Sequence, residues 1–185
     1  MSRLPLRIAI LECDTPFPKT NKKYGGFGGV FTSLLETAVT EKCHPLSEKL
    51  SPKDLDIKIF HVVENETNYP NLDDFDGVLI TGSKHNSFDD EPWILRLVDF
   101  VKEVLAQKRV RLVGICFGHQ ITARALGAKV GRSPKGWELS VTDVKLSEAG
   151  KKLFEQDQLV CSPTPLRFSK LQLTDFLVPV PNAQR

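Results

Sequence analysis

The sequence predicts an α/β fold, a doubly wound and mostly parallel sheet with helices on both faces. Three observations carry that expectation. Short apolar runs alternate with stretches of helical periodicity along most of the chain, the order that a parallel sheet with crossover helices requires. The runs are nearly continuous in apolar residues, as in RIAIL at 7–11, which is the pattern of strands buried on both faces. The length of 185 residues fits one such domain better than two, and it is enough to bury a core without disulfides.

The run 7–11 is the first expected strand. Residues 14–23, rich in Pro, Thr and Asn, read as a loop. Gly25-Gly26-Phe27-Gly28-Gly29 then leads into a helical pattern through Val30, Leu34, Leu35 and Ala38. This glycine segment lacks the Walker Lys-Ser/Thr and does not fit GxGxxG, so it reads as close helix approach and not as a phosphate cradle. Residues 56–63 form the second expected strand, and 76–81 (DGVLIT) the third, closed by Gly82-Ser83. Between 91 and 106, Ile94, Leu95, Val98, Val101, Val104 and Leu105 recur at helical spacing, with Pro92 suited to the first turn. The fourth strand is 110–115 (VRLVGI), followed by Cys116 and a helix over 118–126. Residues 129–130 and 139–146 read as peripheral, antiparallel strands.

The totals exclude several classes. With 25 basic and 23 acidic residues the net charge is +2, and no clustered basic face suggests nucleic acid or a membrane surface as partner. Lys22-Lys23 and Lys151-Lys152 read as solvated surface. No apolar run approaches the ~20 residues of a membrane span, and the N-terminus enters its first strand without a signal-peptide pattern. The four cysteines, Cys13, Cys43, Cys116 and Cys161, show neither CxxC pairing nor zinc-ligand spacing. The expectation is free thiols, no metal, no cofactor and a reducing setting, the cytoplasm with the nucleus also open.

The informative segment is Gly114-Ile115-Cys116-Phe117-Gly118-His119-Gln120. A nucleophile between strand and helix, with glycine two residues to either side, is the pattern of a nucleophile elbow. Side chains at the glycine positions would collide with the adjoining strand and helix. The turn lifts the sulfur to the end of the sheet, beside a helix start that favours thiolate. The backbone N–H of Phe117 then points where an oxyanion would form. A second donor is available from the turn Thr81-Gly82-Ser83, and such a donor is worth on the order of 3 kcal/mol of barrier lowering. Cys13, Cys43 and Cys161 lack this context and read as structural or surface thiols.

The heptapeptide resembles the signature of class I glutamine amidotransferases. DGVLITGS at 76–83 resembles that family's oxyanion strand and loop. Gly136-Trp137-Glu138 resembles a subgroup of stand-alone fungal members and plant γ-glutamyl peptidases. The resemblance spans roughly residues 5–155 and implies a flavodoxin-like sheet and a Cys-His-Glu triad. It makes Cys116 the nucleophile on a glutamine or γ-glutamyl amide, with a thioester intermediate. Gly82, Ser83 and Phe117 would supply the oxyanion hole, and Gln120 would line the glutamine pocket. His119 is not the base in this family and is expected to be bonded within the fold.

One part of the family pattern is missing. The resemblance implies a late His-Pro-Glu motif carrying the base and its orienting carboxylate, and these 185 residues contain none. The histidines are His44, His61, His85 and His119, with His85 the one that follows the expected oxyanion turn. From residue 159 onward the sequence matches nothing the family leads one to expect. The expected layout is a domain over 1–158, C-terminally incomplete, and a divergent or truncated tail over 159–185. Two main readings follow. One is a hydrolase of glutamine or γ-glutamyl peptides, standing alone or serving a separate protein partner. The other is a non-catalytic descendant or fragment that binds a γ-glutamyl ligand or a partner. A redox thiol protein is a third class and would need an exposed, acidic cysteine.

Overall fold

The first apolar run forms β1, Leu6–Glu12, at the centre of a four-stranded sheet. The computed structural model describes residues 4–41, 50–64, 67–132, 142–154 and 157–161. β2 (Leu55–His61), β3 (Gly77–Ile80) and β4 (Arg111–Gly114) complete the sheet in the order β2-β1-β3-β4, every pair parallel. The four strands fall where the apolar runs place them.

Alternation of side chains along each strand sends residues to two faces. Ala9, Leu11, Val78 and Ile80 join one core with Ile94, Leu97, Val101, Phe117 and Ile121. Those partners belong to the helices α3 (Pro92–Gln107) and α4 (Phe117–Ala125). Pro92 takes the first turn of α3, where its missing N–H removes no helical bond. Ile94 and Leu97 are fully buried while Leu95 faces outward, and each buried side chain contributes about 1.5–3 kcal/mol of burial. On the opposite face Ile10 and Leu79 are buried. There α2 (Phe27–Thr40) packs on β1 and β2, with Gly28 against the side chain of Ile59. Helices therefore cover both faces.

Two local expectations need correction. Residues Pro18–Tyr24 form a short helix, α1, inside the segment read as a loop. It buries no side chain, so it left no apolar periodicity to find. Residues 129–130 are irregular and not a strand. The chain divides into two compact units at Val130/Gly131. In the second, β5 (Thr142–Lys145) pairs antiparallel with β6 (Gln158–Cys161), and α5 (Glu148–Phe154) lies between them in sequence. The antiparallel character expected for this region is present. β6 spans the boundary expected at 158. Cys43, His44, the segment 136–138 and most of the tail lie outside the described residues.

At the other end of the first unit, Arg7 grips Asp76 in a two-pronged pair: Nη2 donates to Oδ1 at 2.7 Å and Nε to Oδ2 at 3.0 Å. This ties the start of β1 to the lead-in of β3, and the Arg7 hydrogen bond lowers the Asp76 carboxyl to about 2.

Candidate active site

The register of β3 and β4 sets Ile80 beside Gly114, and the N–H of Ile115 donates to the Ile80 carbonyl at 2.9 Å. The two strands thus release their chains side by side. One continues as Thr81-Gly82-Ser83 and the other as Ile115-Cys116. Cys116 has φ 52 and ψ −101, a backbone state that costs about 1–3 kcal/mol outside glycine and collects at functional sites. Its neighbours hold it there. A Cβ on Gly114 would sit 2.6 Å from the carbonyl group of Gly118 and the N of His119, and one on Gly118 would sit 2.6 Å from the Ile80 oxygen. The helix starts at once, with Gly118 N–H on Ile115 O and Gln120 N–H on Cys116 O. The elbow expected from the glycine spacing is therefore formed.

Cys116 is half-buried. Burial pushes its thiol up from the ordinary value, and a hydrogen bond from the Phe117 N–H opposes that rise. The expected thiolate-favouring setting is thus only partly present, because desolvation outweighs the donor. Phe117 is buried and stacks on Trp93 with centroids 5.6 Å apart.

The turn after β3 is tightly bonded except at two positions. Thr81 N–H reaches Leu11 O at 3.1 Å, and the Thr81 hydroxyl receives the Cys13 N–H at 2.9 Å. Lys84 N–H donates to the Asp14 carboxylate at 2.7 Å, and His85 N–H to Ser83 Oγ at 3.1 Å. The N–H groups of Gly82 and Ser83 meet no acceptor among the described residues, yet both residues are buried.

Gln120 stands on the first turn of α4, and its Oε1 accepts a bond from the Ser87 hydroxyl at 2.8 Å. His119, on the same helix, is partly buried, and burial lowers its pKa. His85 lies edge-on to Trp93, with ring centroids 5.1 Å apart, and its Nδ1 is 3.7 Å from Glu91. Trp93 Nε1 in turn donates to Glu91 at 2.8 Å. Cys13, just past β1, is fully buried, and burial raises its thiol far above the ordinary value.

Sequence reasoning missed several residues around this site. Arg124 donates from Nη1 to the carbonyls of Ser87 (3.0 Å) and Asp89 (2.7 Å), and Nη2 meets Asp90. Glu12 accepts the N–H of Gly28 at 2.8 Å and meets His61 Nδ1 at 2.6 Å. The start of α2 is therefore occupied by the chain's own carboxylate, which agrees with reading the glycine segment as packing. A small cavity of about 180 Å³ opens above β1 and β2, lined by Glu12, Asp14, His61, Lys84 and His85 among others. The one sequence signal for Arg124 was its spacing of four from Gln120, which puts both on one helical face. Among the described residues no group of His, Cys, Asp or Glu could hold a metal ion, and no helix is long and apolar enough to cross a membrane.

Residues 44–162 match the family model for class I glutamine amidotransferases. Over 152 residues the chain is 41% identical to a glutamine amidotransferase-like protein of Schizosaccharomyces pombe, covering 80% of this chain and 58% of that protein. It is 34% identical over 147 residues to γ-glutamyl peptidase 3 of Arabidopsis thaliana, covering 79% of this chain and 52% of the peptidase. The chain thus spans little more than half the length of these relatives. Among solved structures, a glutamine amidotransferase from Thermotoga maritima shares the fold with a TM-score of 0.62 at 19% identity, over 85% of this chain and 59% of that one.

Proposed function

Because the chain belongs to the class I glutamine amidotransferase family, we propose that it acts on the γ-carbonyl of glutamine or a γ-glutamyl peptide through Cys116. The observation that carries this reading is the Gly82-Ser83 turn, whose N–H groups meet no acceptor among the described residues, at the strand end next to Cys116. Together with the Phe117 N–H they offer donors to an oxygen that gains charge. Cys116 Sγ attacks the carbonyl carbon, and its proton passes to the departing nitrogen. The tetrahedral oxyanion collapses to a thioester and ammonia, or the amine of a peptide, leaves. Water then attacks the thioester and releases glutamate and the free thiol. In this reading Gln120 lines the pocket of the glutamyl group.

Proton transfer is the weak point. The 185 residues hold no His-Pro-Glu motif, and general acid–base catalysis is typically worth about 10²–10⁴-fold. The reading therefore gives these residues slow turnover, with His85 and its neighbour Glu91 the first candidates for a replacement base. The second reading, a binding protein for γ-glutamyl ligands, is favoured by one observation, the lack of a His-Pro-Glu motif in these 185 residues. We place the protein in a reducing compartment, where Cys116 stays a thiol.

Hydrolysis of glutamine and of glutathione by the purified, folded protein, beside Cys116→Ala, separates the two. Slow release of glutamate that falls to background in the variant supports the hydrolase. Release that survives Cys116→Ala contradicts the thioester route. Absence of release, with glutamine still shielding Cys116 from alkylation, supports the binding protein.

A further inference from the structure

The loop from residue 84 to 90 continues directly from the Gly82-Ser83 turn and ends at α3. It is fastened at both ends. On the β1 side, Asp14 accepts the Lys84 N–H at 2.7 Å and the Lys84 Nζ at 2.9 Å. On the other side the loop rests on one face of α4. Gln120 and Arg124 are four residues apart, so their side chains stand one above the other on that face. Ser87 is 1% exposed and donates to Gln120. Arg124 reaches three acceptors of the same loop, the carbonyls of Ser87 and Asp89 and the Asp90 carboxylate. Within the loop, Asn86 Nδ2 donates to Asp89 Oδ2 at 3.0 Å and closes a turn whose carbonyls accept from the guanidinium.

α4 follows directly on Cys116, and the loop follows directly on Gly82-Ser83. The two halves of the site, sulfur and N–H donors, therefore sit on different segments that Arg124 joins. A planar, multi-donor guanidinium can satisfy three acceptors in fixed directions, which a lysine ammonium on a flexible stem does not reproduce. We propose that Arg124 is a positioning residue that sets the spacing between the Gly82-Ser83 donors and Cys116. In this role it acts by holding the loop. This proposal rests on reading Gly82 and Ser83 as oxyanion donors, and a shift of about 1 Å at such donors can lower a rate about 10²-fold.

The test uses two reactions of the same thiol. Acylation of Cys116 by a γ-glutamyl p-nitrophenyl ester builds charge on a carbonyl oxygen, yet its leaving group departs without an acid. Alkylation by iodoacetamide displaces iodide at a saturated carbon and builds no oxyanion. For Arg124→Met, acylation should fall about 10- to 100-fold while alkylation stays within about two-fold of the parent. Arg124→Lys should recover little, and Arg124→Ala should regain acylation when guanidinium is added below denaturing concentrations. Unchanged acylation in a folded Arg124→Met protein overturns the proposal. A parallel fall in both reactions also overturns it, because that is general damage to the elbow. The parent protein keeps the two ideas apart. Fast acylation without turnover of glutamine or glutathione denies the hydrolase and leaves the positioning role standing. Acylation no faster than a free thiol's removes the oxyanion turn and this role together.

Discussion

Cys13 and Cys116 occupy like places in one sheet, each just past the carboxyl end of a parallel strand, and they have opposite fates. Cys13 continues in the core with no exposure, its sulfur 3.7 Å from the Leu11 carbonyl and its N–H on Thr81. Cys116 is turned out of line by a positive φ, with glycine two residues before and after it. The difference teaches that the backbone, and not residue type, decides whether a cysteine at a strand end stays in the core or turns out of it. Residue type and strand end are shared by both, and only the second has the space that missing Cβ atoms leave at Gly114 and Gly118. Burial raises both thiols, and hydrogen bonds with Thr81 at Cys13 and from the Phe117 N–H at Cys116 oppose the rise in each.

The sharpest way to break that contrast is Gly118→Ala. Its Cβ would fall 2.6 Å from the Ile80 oxygen, which is backbone and cannot swing aside. The substitution should lower stability by about 3 kcal/mol, read in urea unfolding, and erase the preference of alkylating agents for Cys116 over Cys13. A stable variant with the preference intact would show that the close packing is incidental.

A smaller effect comes from pH. Because the Cys116 pKa is raised, the thiolate is the minor form at neutral pH. Its alkylation rate should climb about ten-fold per pH unit and level off only above the ordinary thiol range. A plateau near neutrality would mean an unseen cation or base activates it. The smallest effect belongs to Cys13→Ala, which should cost about 1 kcal/mol and leave Cys116 chemistry unchanged. Loss of Cys116 reactivity in that variant would show that the two thiols are coupled.

Much of the fold and the centre of the site were legible in the sequence. Buried strands announce themselves as RIAIL or GVLI because a strand covered on both faces has no polar side to show. The elbow was legible because steric demands leave only glycine at 114 and 118. Helix α1 was not, since it buries no side chain and therefore has no period. Arg124 and Ser87 were not, since both act through contacts with residues more than thirty positions distant along the chain. The short helix α5 and the strand β6 were also missed, in a region where the match to familiar patterns fades. The unpaired N–H groups of Gly82 and Ser83 could be suspected from a small-residue turn, but only coordinates show that Thr81, Lys84 and His85 are all satisfied around them.

The most direct test of the central claim is to treat the folded protein with a glutamine-mimicking electrophile such as a diazoketone or chloroketone and map the adducts by peptide mass spectrometry. The account predicts one adduct, on Cys116, formed faster than on any other cysteine and slowed by added glutamine. Equal labelling of Cys13, Cys43, Cys116 and Cys161, with no protection by glutamine, would contradict it.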